Sequence, residues 1–179
     1  MNLLVTGGLG FIGSNFIRLM LERYEDCEIV NLDAQHFGSN IQNLADLKDE
    51  RRYSFCQGDI ADSSLVPRLV EKADAVVNFA AETHVDRSIS RPDTFLHSNV
   101  IGVYNLLEAI RNHNPSARYV QISTDEVYGD ILTGSSTEES TLRPSSPYSA
   151  SKAAGDVFVL AYARTYGLKA MITRCTNNY

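Results

Sequence analysis

The 179-residue chain is 44% hydrophobic and 21% charged, and its formal net charge is −6 at pH 7. This balance is typical of a globular protein that is long enough to bury a substantial core. The negative charge argues against non-specific nucleic-acid binding, because phosphates require a positive patch. We therefore expect no nucleic-acid partner.

The cysteines and the apolar segments limit the cellular setting. Cys27, Cys56 and Cys175 lie far apart and form no C-x-x-C pair, so neither a metal site nor a disulfide framework is expected. Three free thiols suit a reducing cytosol. The first residues lack the basic segment of a signal peptide, and no apolar run is long enough for a membrane span. The sequence thus predicts a cytoplasmic protein without a membrane partner.

Short apolar runs alternate along the chain with longer segments of helical periodicity. The first helical pattern places Phe11, Ile12, Phe16, Ile17, Met20 and Leu21 on one side. Alternation of this kind builds βαβ units, which predicts an α/β fold: a Rossmann doubly wound parallel sheet with helices on both faces. In chain order the elements are strand 3–5, helix 11–21, strands 29–32 and 53–56, helix 65–70, strand 75–79, helix 92–111, strand 119–123, helix 146–166 and strand 170–173, with polar surface loops at 38–43 and 133–140.

Glycines follow the first strand at the spacing G-x-x-G-x-x-G, as Gly7, Gly10 and Gly13. A tight strand-to-helix turn of this kind lets the backbone approach a pyrophosphate at the positive end of the helix dipole. Asp33 lies twenty residues after Gly13, where a carboxylate can accept both ribose hydroxyls of NAD and would repel the 2′-phosphate of NADP. A glycine loop that only packs the helix, with a solvated acid nearby, is the alternative. The combination favours NAD.

Two further strand ends supply candidate cofactor contacts, since ligands bind at the carboxyl ends of parallel strands. Asp59 and Ile60 follow the third strand, where the carboxylate could accept the adenine amino group and the apolar side chain could pack on the ring. Ala80 and Ala81 follow the fourth strand and leave room for the cofactor. Simple tight packing is the alternative explanation of the two alanines.

Tyr148 and Lys152 stand four residues apart in the last predicted helix, so both side chains lie on one helix face. A phenol with a pKa of about 10 is a poor base at neutral pH. A neighbouring ammonium, together with the positive nicotinamide ring, would stabilise the phenolate. Tyr148 could then take the proton of a substrate hydroxyl as hydride leaves for NAD. Chance matches to Y-x-x-x-K are common, so the pair gains weight only from following the glycine turn.

An acidic pair, Asp125 and Glu126, comes just after the fifth strand. Alcohol oxidation needs a hydroxyl there to orient the substrate, which Ser123 or Thr124 could supply, but it needs no carboxylates. Dehydration needs one acid to protonate a leaving hydroxyl and one base to remove a proton beside a carbonyl. A helix-capping cluster explains the same Thr-Asp-Glu run. The residues alone leave both interpretations open.

Five segments together resemble the dTDP-glucose 4,6-dehydratase family of the extended short-chain dehydrogenases/reductases (NAD-dependent epimerase/dehydratase type). They are TGGLGFIG at 6–13, FAAETHVDRS at 79–88, STDEVYG at 123–129, SPYSASKA at 146–153 and TRCTNNY at 173–179. The likeness runs through the whole chain. The STDEVYG segment discriminates best, because related epimerases and decarboxylases usually lack its Asp-Glu pair.

The resemblance implies a three-stage reaction on bound NAD. Tyr148, with Lys152 and Thr124, would deprotonate the sugar 4-hydroxyl while C4 gives its hydride to NAD. Glu126 would then remove the C5 proton while Asp125 protonates the departing 6-hydroxyl, and hydride would return to C6. By similarity the cofactor contacts are Gly7, Gly10, Phe11, Ile12, Gly13, Asp33, Asp59, Ile60, Ala80, Ala81, Ser98, Tyr148, Lys152 and Asn178, and the substrate contacts are Thr83, His84, Thr124 and Asn177.

The resemblance also bears on the organisation of the protein. Family members are nearly twice as long, so residues 1–179 are expected to be the NAD-binding domain with the catalytic residues, and the C-terminal substrate domain is largely absent from them. A homodimer is implied, formed by the helices at 92–111 and 146–166. Ala34, Phe37 and Ser98 depart from the family's usual Lys, Tyr and Thr, which leaves the chemistry intact. A sibling nucleotide-sugar epimerase or decarboxylase, and a non-catalytic NAD-binding module, are the competing interpretations.

Overall fold

Six parallel strands form one sheet in the order β3-β2-β1-β4-β5-β6 in the computed structural model, which describes residues 1–178. The strands are β1 (Asn2–Thr6), β2 (Glu28–Asp33), β3 (Tyr53–Gln57), β4 (Ala75–Asn78), β5 (Arg118–Thr124) and β6 (Ala170–Cys175). The α-helices are α1 (Phe11–Arg23), α2 (Val66–Val70), α3 (Val85–Ser90), α4 (Pro92–Leu96), α5 (Val103–His113) and α6 (Pro147–Tyr166). The predicted Rossmann-type α/β fold is confirmed.

Successive residues of the central strands feed two separate apolar clusters, one on each face of the sheet. Leu4 of β1 belongs to a cluster with side chains of α2, α5 and α6. Its neighbours Leu3 and Val5 belong to the other cluster, with Ile17 and Leu21 of α1. Alternate side chains of a strand point to opposite faces, so a sheet covered on both sides needs such continuous apolar runs. The carboxyl ends of the strands stay open between the two helical layers.

All ten predicted elements are present, but three details of the predictions are wrong. Part of the loop expected at 38–43 belongs to a 3₁₀ helix, Ile41–Leu47. The helix expected at 92–111 consists of α4, a π-helical segment at His97–Gly102, and α5. Phe11 and Ile12 do not share the buried side of α1: they are 57% and 39% exposed, because they face the cleft at the carboxyl edge of the sheet.

No helix within residues 1–178 is both long enough and apolar enough to cross a bilayer.

A buried polar network joins the carboxyl ends of β1 and β4 to the middle of β5. Thr6 of β1 donates to Asn78 of β4, and the Asn78 amide donates to Gln121 of β5 at 2.9 Å and to the hydroxyl of Tyr119 at 3.2 Å. All four side chains are almost completely buried. A satisfied network of this kind disfavours any slip in strand register, because a slip would leave buried polar groups unpaired. It therefore fixes the strand ends that support the cleft.

The π-helical segment lies directly against the middle of α6. Gly155 of α6 makes this possible, since a Cβ there would lie 2.8 Å from the backbone oxygen of Asn99. The Asn99 side chain then bonds the Ser151 hydroxyl at 2.9 Å and both backbone groups of Glu82. This contact ties α6 to the chain segment that follows β4. A π turn inside a helix is often found where a side chain must be placed for function.

Gly155→Ala tests how closely these two elements must pack. Helix propensity alone would stabilise the protein by about 1 kcal/mol, but we expect the steric conflict with Asn99 to outweigh it and lower the free energy of unfolding. Ala154→Gly, on the same helix, is the control and should cost only the propensity difference. Urea unfolding of both variants measures the effect. A Gly155→Ala protein more stable than the parent would contradict this packing argument.

Candidate active site

A cleft of about 590 Å³ lies along the carboxyl edge of the sheet. It is lined by every residue expected to bind cofactor or substrate, so the structure brings together residues spread over almost the whole sequence. Four of the five expected catalytic residues also line it: Thr124, Glu126, Tyr148 and Lys152. Asp125 is the exception, since it is exposed and is absent from the lining.

The glycine turn fits its position only because two Cβ atoms are absent. Gly7 has a φ of +69°, and a Cβ there would strike the backbone of Ala80. A Cβ on Gly13 would lie 2.5 Å from the Gly7 oxygen. The turn therefore lies against the segment after β4, and the first residues of α1 line the cleft, where the first N–H groups of a helix have no partner within it. This is the shape that a pyrophosphate requires.

Asp33, at the end of β2, is 96% buried and its carboxylate already organises the loops around it. One oxygen accepts from the Leu9 N–H at 3.0 Å, and the other accepts from the Gln35 N–H and the Ser39 hydroxyl, each at 2.8 Å. Each carboxylate oxygen has two lone-pair positions, so the oxygen bonded to Leu9 can still accept another donor. Asp33 can thus hold the glycine turn and a ribose hydroxyl together.

The region expected to hold adenine contains a pairing that the sequence did not indicate. The Asp59 carboxylate accepts from the Ala61 N–H at 2.8 Å and lies 3.0 Å from Nε2 of His97 in the π-helical segment. Ile60 lines the cleft but is only 4% exposed, so only a small part of its side chain is accessible there. Ser98, next to His97, also reaches the cleft.

Helix α6 presents Tyr148 and Lys152 to the cleft. The helix starts at a capping box between Ser146 and Ser149, which fixes the helical turn that carries Tyr148. The Lys152 ammonium is buried and donates to the Ile122 backbone oxygen at 2.7 Å. Burial lowers the pKa of Lys152 to about 8, and the charge of Asp156 partly opposes that change.

The phenol does not acquire a low pKa from the chain alone. Burial, with a smaller contribution from the Glu126 charge, raises the pKa of Tyr148 to about 12, although the Thr124 hydroxyl acts in the opposite direction. Lys152 is thus not by itself the source of an acidic phenol. A further positive charge beside the ring is needed, and a nicotinamide in the cleft would carry one.

The two acids of the STDEVYG segment occupy different environments, in a 3₁₀ turn at Asp125–Tyr128. Thr124 caps this turn by accepting from the Glu126 N–H at 3.3 Å, so the capping interpretation explains part of the sequence pattern. Glu126 lines the cleft, and burial together with the Asp125 charge raises its pKa. The Asp125 carboxylate accepts from the Thr124 hydroxyl at 3.3 Å and remains at the outer rim.

The expected substrate residue His84 lines the same cleft in an unusual backbone conformation. His84 has a φ of +77°, an uncommon conformation for a residue with a side chain, and one that is often found at functional sites. Its ring meets Phe37 edge-on at 5.6 Å between centroids, and the Arg87 guanidinium lies 4.0 Å from the centre of the Phe37 ring. Thr83, Asn177 and Asn178 also line the cleft.

Several lining residues were missed by the sequence analysis. Cys175 ends β6 and reaches the cleft, and the strand-end rule that identified Asp59 and Ala80 would have found it. Glu82 is buried beside Arg87 at 2.8 Å, a pairing that no local pattern reveals. Within residues 1–178, no group of three or more His, Cys, Asp or Glu side chains is placed to hold a metal ion.

The cleft suits a dinucleotide on two observations besides its size. The backbone at Gly7 and Gly13 forms a cradle, since a Cβ atom at either position would clash with neighbouring backbone atoms. The Ser123 hydroxyl is buried at the same edge and bonds no other group within the described chain. An unpaired buried hydroxyl is costly unless a ligand satisfies it.

Comparison with known proteins agrees with these features. The family model described as GDP-mannose 4,6 dehydratase matches residues 4–179. A dTDP-glucose 4,6-dehydratase of Mycolicibacterium smegmatis is 50% identical over all of this chain and 54% of its own length. The crystal structure of DesIV, a dTDP-glucose 4,6-dehydratase from Streptomyces venezuelae with NAD and TYD bound, matches with a TM-score of 0.95 at 49% identity, covering 100% of this chain and 56% of that one. The resemblance that the motifs indicated is confirmed.

A more distant likeness shows how widely the fold is shared. UDP-glucose 4-epimerase from Brucella ovis, in complex with NAD, matches with a TM-score of 0.86 at 29% identity, covering 98% of this chain and 52% of that chain. The present chain spans about half the length of the relatives that it matches. Since the family model covers all but the first three residues, the chain belongs to the GDP-mannose 4,6 dehydratase family.

Proposed function

We propose that residues 1–179 are the NAD-binding, catalytic domain of a longer two-domain enzyme that dehydrates a nucleoside-diphosphate-glucose to its 4-keto-6-deoxy sugar. One observation carries the proposal: Tyr148, Lys152 and Glu126 face a single cleft beside a glycine turn shaped for a dinucleotide. Relatives near 50% identity are named dTDP-glucose 4,6-dehydratases, which favours dTDP-glucose as the substrate.

Three parts of the chain would hold NAD. The glycine turn and the start of α1 would receive the pyrophosphate, Asp33 a ribose, and the Asp59–Ile60 region the adenine. The buried carboxylate of Asp33 would repel a 2′-phosphate, which favours NAD over NADP. Bound NAD would supply the hydride acceptor for sugar C4 and later the donor for C6.

Tyr148 is assigned the removal of the proton from the sugar 4-hydroxyl, and Thr124 the hydrogen bond that orients this hydroxyl. The ammonium of Lys152 is held by its bond to the Ile122 oxygen, on the same face of α6 as the phenol. Because the chain's own groups raise the pKa of Tyr148 to about 12, the phenol would be a competent base only beside the positively charged cofactor.

Glu126 is assigned the removal of the C5 proton, which the ketone at C4 makes acidic. Its raised pKa makes it a stronger base than an ordinary glutamate once it is ionised. Asp125 is assigned the proton donor to the 6-hydroxyl. Since this carboxyl group lies at the rim and bonds Thr124, the assignment requires its side chain to rotate inward when the sugar is bound.

That position of Asp125 favours one second candidate, a nucleotide-sugar 4-epimerase. An epimerase needs the Tyr148–Lys152 pair and the cofactor, but it needs no acid at the 6-hydroxyl. The Brucella ovis structure shares the fold at a TM-score of 0.86. The two candidates differ in what happens at C5 and C6, so they can be separated by the product and by variants of Glu126.

We infer further that the protein is a cytoplasmic homodimer. The three cysteines are free, which suits a reducing compartment. Large apolar side chains stand exposed on α4, the π-helical segment, α5 and α6, and Tyr104 and Phe158 meet at 6.2 Å between ring centroids. An apolar surface shared by two packed helices is suited to pairing with a second copy. Its exposed members are Leu96, Ile101, Tyr104, Val157, Phe158 and Leu160.

The first test is product formation by the full-length protein that contains this chain. With dTDP-glucose we expect a 4-keto-6-deoxy sugar and no net accumulation of NADH, because hydride that leaves C4 returns to C6. UDP-glucose, assayed in parallel, reports the preference for the base. Mass spectrometry distinguishes the outcomes, since dehydration removes one water. A product isomeric with the substrate would instead establish the epimerase.

Variants of Tyr148 and Glu126 should fail at different stages. Tyr148→Phe should slow NADH formation from bound NAD by about 10² to 10⁴, the usual contribution of a general base. Glu126→Gln should still form NADH but should accumulate it, because the C5 proton is no longer removed. Rapid-mixing absorbance of the reduced nicotinamide follows both variants. Unchanged turnover of Glu126→Gln would exclude the proposed role of this residue.

Lys152→Met should stabilise the fold at neutral pH. The pKa of Lys152 falls from 10.5 to about 8 on folding, so between these values the unfolded chain binds more protons and parent stability rises with pH. At pH 7 the buried charge of Lys152 lowers the free energy of unfolding of the parent by up to about 3 kcal/mol. The variant regains this amount, less the contribution of the lost bond to Ile122.

Urea unfolding at pH 7 and 9.5 measures this effect, with Lys72→Met as a control at an exposed lysine. The stability advantage of Lys152→Met should shrink at the higher pH. A disadvantage that does not depend on pH would refute the argument.

Ile101→Glu should weaken the proposed dimer, since it places a charge in an apolar contact. Sedimentation velocity should show the parent protein as a dimer and the variant shifted towards monomer. Leu132→Glu, in a loop where the side chain is 95% exposed, is the control and should leave the association unchanged. A monomeric parent protein would contradict the proposed homodimer.

A further inference from the structure

We propose that Asp156, Arg174 and Tyr128 form a positioning link that holds the turn bearing Asp125 and Glu126 in register with the helix bearing Tyr148 and Lys152. This inference rests on the proposed function, because it assigns the two groups to successive steps of one reaction. None of the three residues lines the cleft. They act through the residues that do.

The first half of the link is a buried ion pair between α6 and β6. Asp156 lies one helical turn beyond Lys152 and is fully buried. Its Oδ2 accepts from Nε of Arg174 at 2.8 Å, and its Oδ1 has no hydrogen-bond donor within the described chain. A buried carboxylate with an unpaired oxygen is expensive, and an apolar pair of similar volume would often be at least as stable. Stability alone therefore explains this pair poorly.

The second half of the link runs from Arg174 to the acidic turn. Nη1 of Arg174 donates to the Tyr128 hydroxyl at 2.8 Å, and the guanidinium carbon lies 5.1 Å from the centre of the Tyr128 ring. Tyr128 is the last residue of the 3₁₀ turn that contains Asp125 and Glu126. One planar guanidinium thus bonds α6 through one nitrogen and the turn through another. The ammonium of a lysine lacks this rigid planar arrangement of donors, so it cannot hold both partners in the same fixed geometry.

The chemistry gives this connection its purpose. Tyr148 would act at the 4-hydroxyl and Glu126 at the neighbouring C5 of the same sugar, so their separation must match the distance between two adjacent ring atoms. A misplacement of about 1 Å can cost a factor of about 10² in rate. The turn is exposed at Asp125 and Glu126, so its inner end at Tyr128 needs an anchor. The charge of Asp156 also raises the pKa of Lys152 and so opposes the effect of burial, which favours the neutral amine.

The test uses Tyr128→Phe and Arg174→Lys in the full-length enzyme. Both keep the packing volume and break the contact between guanidinium and phenol. We expect single-turnover NADH formation to stay within about threefold of the parent enzyme, while loss of the 6-hydroxyl slows by about tenfold or more. NADH should therefore accumulate transiently. Tyr162→Phe is the matched control, because it also removes a tyrosine hydroxyl that bonds a charged side chain. Tyr162 lies on α6, outside the link, and its hydroxyl donates to Glu108 at 2.7 Å.

A second readout does not require turnover. In the parent protein burial and the Asp125 charge raise the pKa of Glu126. Release of the turn should remove the contacts that still partly desolvate Glu126, so its pKa should fall towards the ordinary value in Tyr128→Phe and Arg174→Lys but not in Tyr162→Phe. Carbon-13 NMR of labelled glutamate carboxyls measures this titration in the full-length protein.

The outcomes separate the link from the proposed function. If the parent enzyme makes no keto-sugar, the proposed function fails, whereas the Glu126 titration still tests the link. An unchanged Glu126 titration overturns the link. So does an equal slowing of oxidation and elimination, because a merely structural defect, such as that of Tyr162→Phe, would affect both steps alike.

Discussion

The contact between the glycine turn and the backbone after β4 is the constraint on which the rest of the cleft depends. Gly7 lies so close to the segment after β4 that a Cβ at position 7 would be 2.4 Å from the backbone nitrogen of Ala80. The same turn is held from the other side, because the buried carboxylate of Asp33 accepts from the Leu9 N–H. β1, β2 and β4 are thereby brought to one edge, and the buried network around Asn78 keeps their ends in register with β5. The cleft is a consequence of these contacts.

Helix α6 carries three candidate functional side chains at a spacing of four residues. Tyr148 and Lys152 reach the cleft, and Asp156 lies behind them in the core. Burial works against the charged forms of Tyr148 and Lys152, since it favours the neutral phenol and the neutral amine. A fold optimised only for stability would replace them with apolar residues. Their presence is therefore better explained by reaction chemistry than by packing.

The sequence predicted the fold and most of the site because both follow from local rules. Strand and helix periods located all ten elements, and the strand-end rule located Asp33, Asp59 and Ala80. Periodicity failed at Phe11 and Ile12, because an apolar side chain that faces a ligand cleft has the same spacing as one that faces the core. It also missed the π-helical segment, where Gly155 on a distant helix determines how closely the chains approach. The Asp156–Arg174–Tyr128 link joins three elements across 46 residues, and no local pattern contains it.

The acidic pair shows why adjacency in sequence is a poor guide to roles in a site. Consecutive residues of a 3₁₀ turn point in directions roughly 120° apart, so Asp125 and Glu126 cannot both face the same point in the cleft. The structure places Glu126 inward and Asp125 at the rim, with Thr124 capping one and bonding the other. A dehydratase can use the inward Glu126 at C5 as it stands, whereas Asp125 would serve the 6-hydroxyl only after its side chain has rotated inward. An epimerase has no use for the inward carboxylate. The orientation of this single turn, rather than the shared fold or the Tyr148–Lys152 pair, is therefore what separates the two chemistries.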